Sequence, residues 1–227
     1  MLFDLRGRGR KNTVKVIYVL LAVLMGGGLV LFGIGGNTSG GLVDAITGAP
    51  SGDTGEKRFQ KQETAALQAL EADPADAAAN IKLIRARVQL AGVGDRYDSS
   101  TNTYTAEGKA QLRRAAQAWN QFQARDPKQT DEVARVASVM VNAFTALGDL
   151  EGAVSAQEVV AEARNTAGAY SNLAVLAYQA GQTRKGDLAG RKALDLTDKD
   201  LRPSLKSQLD AAKAQAATAG STQQPSG

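Results

Sequence analysis

The chain is 227 residues long and contains neither cysteine nor histidine, so it has no disulfide, no Cys/His zinc site, no cysteine nucleophile and no Ser-His-Asp arrangement available to it. Its 27 Lys/Arg against 23 Asp/Glu give a formal net charge of +4, and aromatic residues make up only 5%. That excess belongs to residues 1–15, where Arg6, Arg8, Arg10, Lys11 and Lys15 accompany the single acid Asp4; the neutral remainder lacks the basic, aromatic face that would make nucleic acid a partner.

Residues 16–36 follow without one charged side chain. As an α-helix this run would reach roughly 30 Å, the hydrocarbon thickness of a bilayer, and it predicts a transmembrane anchor. Cations precede it and no charge follows until Asp44, so the positive-inside rule makes 1–15 a basic cytoplasmic tail. The expected placement is a single-pass protein of the cell membrane with its C-terminal domain extracytoplasmic. Tyr18 would sit at the interface and Lys15 would snorkel out of it. A cleaved secretory signal, leaving a secreted protein, has the same order of basic and apolar segments. Its apolar run is usually shorter, roughly 7 to 15 residues, and the nearest small-x-small site, Val43-Asp44-Ala45, lies well beyond the span. A buried core helix would need protein covering all its faces. The glycines of the span are followed by no Lys-Ser/Thr, so they form no phosphate loop. Ala22 and Gly26 make one small-xxx-small pair, where a transmembrane partner complex would seat.

Residues 37–55, rich in Gly, Ser and Thr with Pro50, predict a flexible linker. From 56 onward apolar positions recur every three or four residues, which predicts an all-α domain. Phe59, Ala66 and Leu70 mark a first helix; Ile81, Ile84, Val88 and Ala91 a second; Leu112, Ala115, Ala116, Trp119 and Phe122 a third. Val133, Val136, Ala137, Met140, Phe144 and Leu147 stripe a fourth, and Ala153, Ala156, Val160 and Ala163 a fifth. Leu173, Ala174, Ala177 and Tyr178 stripe a sixth, Leu188, Ala189, Ala193 and Leu196 a seventh. Leu201, Leu205, Leu209 and Ala212 place an amphipathic capping helix within 199–217, and 218–227 has the composition of a disordered tail.

Pro74 and Pro127 each follow an Asp and stop a helix, and Gly92, Gly148 and Gly181 sit where C-terminal caps are needed. Gly148 and Gly181 are 33 residues apart, and a period in the thirties with two helices per unit indicates a helical solenoid. Ala169-Tyr170-Ser171-Asn172-Leu173-Ala174, then Tyr178, Gly181 and Lys192-Ala193-Leu194-Asp195-Leu196, resemble one unit of the tetratricopeptide repeat (TPR) family. Ala69-Leu70-Glu71-Ala72-Asp73-Pro74 is similar to the end of that family's second helix, and Gly148-Asp149-Leu150-Glu151-Gly152-Ala153 to its inter-helix turn. The pattern departs from the family at Gly186, Gly190 and Asp198, and residues 92–105 insert a loop. The resemblance implies a TPR-like solenoid over 56–198, of about three degenerate repeats with a preceding half unit and a capping helix.

The resemblance further implies a concave groove, lined by the first helix of each unit, that holds a protein or peptide partner. By position it takes in Ile81, Arg85, Val88, Gln89, Arg135, Asn142, Ser171, Val175 and Tyr178. The family's carboxylate clamp does not map, because Ile81, Arg85 and Ser171 hold its places. The expected function is a membrane-tethered scaffold or adaptor; the alternative is a chaperone-like accessory of protein export, since bacterial translocon-associated proteins share this layout. No enzyme is expected, because carboxylates lie mostly beside Lys or Arg on solvated helix faces. No cofactor is expected either. The oxygen-rich loop 92–105, with Asp95, Asp98, Ser99, Ser100 and Asn102, lacks EF-hand ligand order, so no metal site is assigned to it.

Overall fold

A computed structural model describes residues 53–222, so the tail 1–15, the span 16–36 and nearly all of the linker 37–55 lie outside the described residues. Eight helices are present among those described: α1 (Asp53–Ala72), α2 (Ala77–Ala91), α3 (Ala106–Gln123), α4 (Asp131–Leu147), α5 (Leu150–Arg164), α6 (Ala167–Gln179), α7 (Thr183–Asp195) and α8 (Arg202–Thr222). The domain is all-α apart from a two-stranded hairpin between α2 and α3, in which β1 (Tyr97–Asp98) pairs antiparallel with β2 (Thr103–Tyr104). Among the described residues no helix is long and apolar enough to cross a membrane.

Local chemistry sets the helix starts. Asp76 accepts from the backbone N–H of Ala78 and Ala79, Thr105 from Gly108, Thr130 from Val133, Asp149 from Gly152 and Thr166 from Ala169. Each side-chain oxygen satisfies a first-turn donor that has no partner inside its own helix. Gly148 ends α4 at φ +75°, in the left-handed region, whereas Gly92 ends α2 at φ −98° without it. The short connections Gly148-Asp149 and Asn165-Thr166 turn each helix back on its predecessor.

Packing follows chain order. The tightest neighbours are α1 with α2, α2 with α3, α4 with α5, and α6 with α7; α8 lies against α6 and α7. The shared core contains Ile84, Leu112, Trp119, Phe122, Met140 and Phe144, all at most 2% exposed. Arg87 of α2 clamps three helices: its Nε donates to Glu63 Oε1 of α1 at 2.8 Å, and its Nη1 donates to the Arg114 carbonyl of α3 at 3.1 Å. Both side chains of the ion pair are less than one-fifth exposed. Arg87→Ala is expected to lower unfolding stability by about 1–2 kcal/mol, measured by urea titration, because a charged hydrogen bond is lost and the Glu63 carboxylate is left half-buried.

Two hairpins share a packing device. A Cβ on Gly152 would fall 2.4 Å from Cδ1 of Phe144, and a Cβ on Gly186 would fall 2.4 Å from Cε1 of Tyr178. The ring near the end of the first helix therefore rests on the bare backbone of the second. The aromatic–glycine pair recurs 34 residues later along the chain.

Three expected core residues are at the surface instead: Leu188 is 53% exposed, Leu196 38% and Leu201 57%. On α7 the buried face is Gly186, Ala189, Gly190 and Ala193, small enough for the helix to sit directly on Tyr178 and Leu209. That close seating turns Leu188 outward. Helix α8 also continues to Thr222, into the segment expected to be an irregular tail.

Helix α8 is pinned by a polar triad. Lys213 Nζ donates to both carboxylate oxygens of Asp187 at 2.7 and 2.9 Å, and Tyr178 Oη donates to Asp187 Oδ1 at 2.9 Å. Hydrogen bonds from Lys213 and Tyr178 hold the Asp187 carboxyl below its ordinary 3.8, while burial and the Asp187 bond push the Tyr178 phenol up to about 12. A depressed carboxyl stabilises the fold above its ordinary value, and that contribution is lost as pH falls through the lowered one. A raised phenol contributes fully below its ordinary 10.0 and loses that contribution as pH rises through about 12. Thermal unfolding followed by circular dichroism should therefore weaken at both extremes, and Asp187→Asn should flatten the acid limb.

Candidate functional site

The sequence-derived groove residues divide by burial. Ile81, Val88 and Tyr178 are 3%, 6% and 7% exposed and belong to the core, where Tyr178 also carries the bond to Asp187. Arg85, Gln89, Asn142, Ser171 and Val175 are half-buried and Arg135 is exposed. These six occupy α2, α4 and α6, the first helices of the three hairpins. Arg85 Nη1 lies 3.5 Å from Glu132 Oε1, tying α2 to α4. No hydrogen bond or ion pair among the described residues joins Arg135 or Asn142 to Ser171 or Val175.

A cleft of about 410 Å³ adjoins the α2 and α4 part of this surface. Ile81, Phe122 and Val133 line it, with Arg125, Lys128 and Glu132 among its polar residues. One wall is fixed by Arg125, whose Nη1 donates to the Pro74 carbonyl at 2.5 Å, and by buried Asn80, whose Nδ2 donates to the carbonyls of Pro74 and Asp76. The turn that starts α2 is thus rigidly built.

A larger groove of about 780 Å³ lies elsewhere, between α5 and α7 with α6 beneath. Tyr170, Leu173 and Ala189 supply apolar lining, and Leu188 stands at its edge. Glu158 and Glu162 come from α5; Arg184, Lys185 and Lys192 come from α7. Lys185 Nζ bonds Glu158 Oε1 across the groove at 2.7 Å, and Lys192 Nζ sits 5.9 Å from the centre of the Tyr170 ring. Sequence reasoning missed this groove because it counted Leu188 as core. The signal was the run of glycine and alanine on α7, which leaves no space for a leucine beneath.

Several side-chain oxygens of the 92–105 loop are used internally. Asp98 Oδ1 accepts from Ser100 N, Ser100 Oγ and Thr101 N, and the Ser100 bonds hold its carboxyl at about 2. Tyr97 donates to Asn102 Oδ1, and its ring meets Tyr104 edge-on at 5.1 Å between centroids. Among the described residues no group of three or more acidic side chains is placed to hold a metal ion.

No protein-family model matches the chain, and no curated protein sequence matches it.

Proposed function

We propose that this chain is a membrane-tethered scaffold of the TPR kind, anchored by residues 16–36 and binding a protein or peptide partner through the first helices of its hairpins. The observation that carries the reading is the recurrence of one hairpin design, with Phe144 on Gly152 and then Tyr178 on Gly186, at 34 residues. That interval is the TPR period, and stacked units of this length present a continuous surface along their first helices. Arg85, Gln89, Arg135, Asn142, Ser171 and Val175 supply the mixed polar and apolar character that peptide recognition uses, and the cleft beside Ile81 offers an anchor pocket.

Photo-crosslinking in cells tests this directly. A crosslinker placed at Arg135 or Val175 of the full chain should trap a small, reproducible set of partners, identified by mass spectrometry. One placed at exposed Arg113 on α3 should not trap the same set. Equal capture from both sites, or none from either, overturns the first-helix assignment. Nascent or unfolded secreted chains in the captured set would identify the export accessory instead of the adaptor.

A further inference from the structure

Independently of the first-helix surface, we propose that the groove between α5 and α7 is a second docking site, for a peptide segment that carries an apolar anchor framed by carboxylates. The anchor's place is set by Leu188, which is 53% exposed beside Tyr170, Leu173 and Ala189 in a recess of about 780 Å³. An apolar side chain entering there removes water from the outer half of Leu188 and from the recess together.

Charge sets the rest. Arg184 and Lys192 stand four positions before and after Leu188, one helical turn away on each side along the same strip of α7. Neither has a carboxylate within ion-pair distance among the described residues, and Lys192 is engaged only with the Tyr170 ring. Asp187, three residues after Arg184, does not neutralise this strip, because Lys213 and Tyr178 already occupy it, and Asp195, three residues after Lys192, makes no ion pair with it. Lys185 is bound to Glu158, but that pair is more than one-third exposed on both sides and so is readily exchanged. The opposite wall carries Glu158 and Glu162. A bound segment therefore turns its carboxylates toward α7 and away from α5, and the acidic wall rejects the reverse polarity.

A random peptide library displayed on phage, selected on the purified full-length chain, supplies the probe. Selected peptides should carry a leucine or aromatic residue between acidic residues. Anisotropy of the labelled winners should show binding that weakens with salt, falls about tenfold or more in Leu188→Ser and in Arg184→Glu/Lys192→Glu, and is unchanged in Arg135→Glu. These positions are at the surface, so circular dichroism should show each variant folded. The proposal is overturned if selection yields no binders, if the winners are basic or uncharged, or if their binding is indifferent to the Leu188 and α7 variants. It is also overturned if anionic lipid vesicles, and not peptides, are what Arg184→Glu/Lys192→Glu releases. Winners lost only in Arg135→Glu would report the first-helix surface, supporting that reading while contradicting this one.

Discussion

Phe144→Ala should cost about 3–5 kcal/mol of unfolding stability, the largest effect of any single truncation named here, as measured by denaturant titration. Phe144 is 1% exposed, and its ring occupies the space a side chain on Gly152 would otherwise take. Removing the ring leaves a void that α4 and α5 cannot close, because Gly148 and Asp149 hold their ends at a fixed separation. The partner change has a cost that depends on its background. Gly152→Ala alone places a Cβ 2.4 Å from a buried ring and should destabilise by about 1–3 kcal/mol, despite alanine's better helix propensity. In the Phe144→Ala background the ring is gone and only the Asp149 carboxylate oxygen, 2.8 Å from that Cβ, must give way, so Gly152→Ala should cost at least about 1 kcal/mol less there than it does alone. A double-mutant cycle with no coupling would remove the notch as the hairpin's organising contact.

Gly108→Ala should lose about 2–3 kcal/mol, although alanine is favoured over glycine inside a helix by about 1 kcal/mol. The reason is steric. A Cβ at 108 would lie 2.1 Å from the Arg96 carbonyl oxygen and 3.1 Å from that of Ala91, so backbone and not a side-chain tip must yield. The Arg96 carbonyl also accepts from Thr105 N at 3.0 Å, and the Arg96 guanidinium is bound to Glu56 at 2.9 Å. Displacing it loosens the loop from α1. Gly168 in α6 is the control, since a Cβ there meets nothing within 4 Å. Gly168→Ala should be neutral or stabilising by up to about 1 kcal/mol. Equal effects at the two glycines would show that propensity, not the close approach, governs position 108.

The helices were legible because their apolar stripes carry a 3.6-residue period. Ile81, Ile84, Val88 and Ala91 are all buried, as are Leu112, Ala115, Trp119 and Phe122. On α7 the stripe was half right: Ala189 and Ala193 are buried as expected, but Leu188 and Leu196, the residue just past the helix, are exposed, and Gly186 and Gly190 complete the buried face. The inner surface there favours closeness, and a pattern scored on apolar size overrates the leucines and misses the glycines. The hairpin at 97–104 was invisible for a different reason. Its strands are two residues long, and its order comes from Asp98 closing the turn and from Tyr97 meeting Tyr104, interactions that no periodicity records. The candidate sites were half legible. The first-helix surface followed from position in a repeat, whereas the groove of Tyr170, Leu188 and Lys192 exists only once α5 and α7 flank α6.

The proposed tethering turns on where the helical domain stands relative to a membrane. Protease treatment of bacterial spheroplasts expressing the full chain, read with an antibody to the helical domain, tests this in one step. The prediction is that the domain sediments with membranes, resists alkaline extraction and is digested from outside without lysis, and that deleting residues 16–36 abolishes membrane retention. A domain protected until the cells are lysed, or one released intact by alkali, would contradict it.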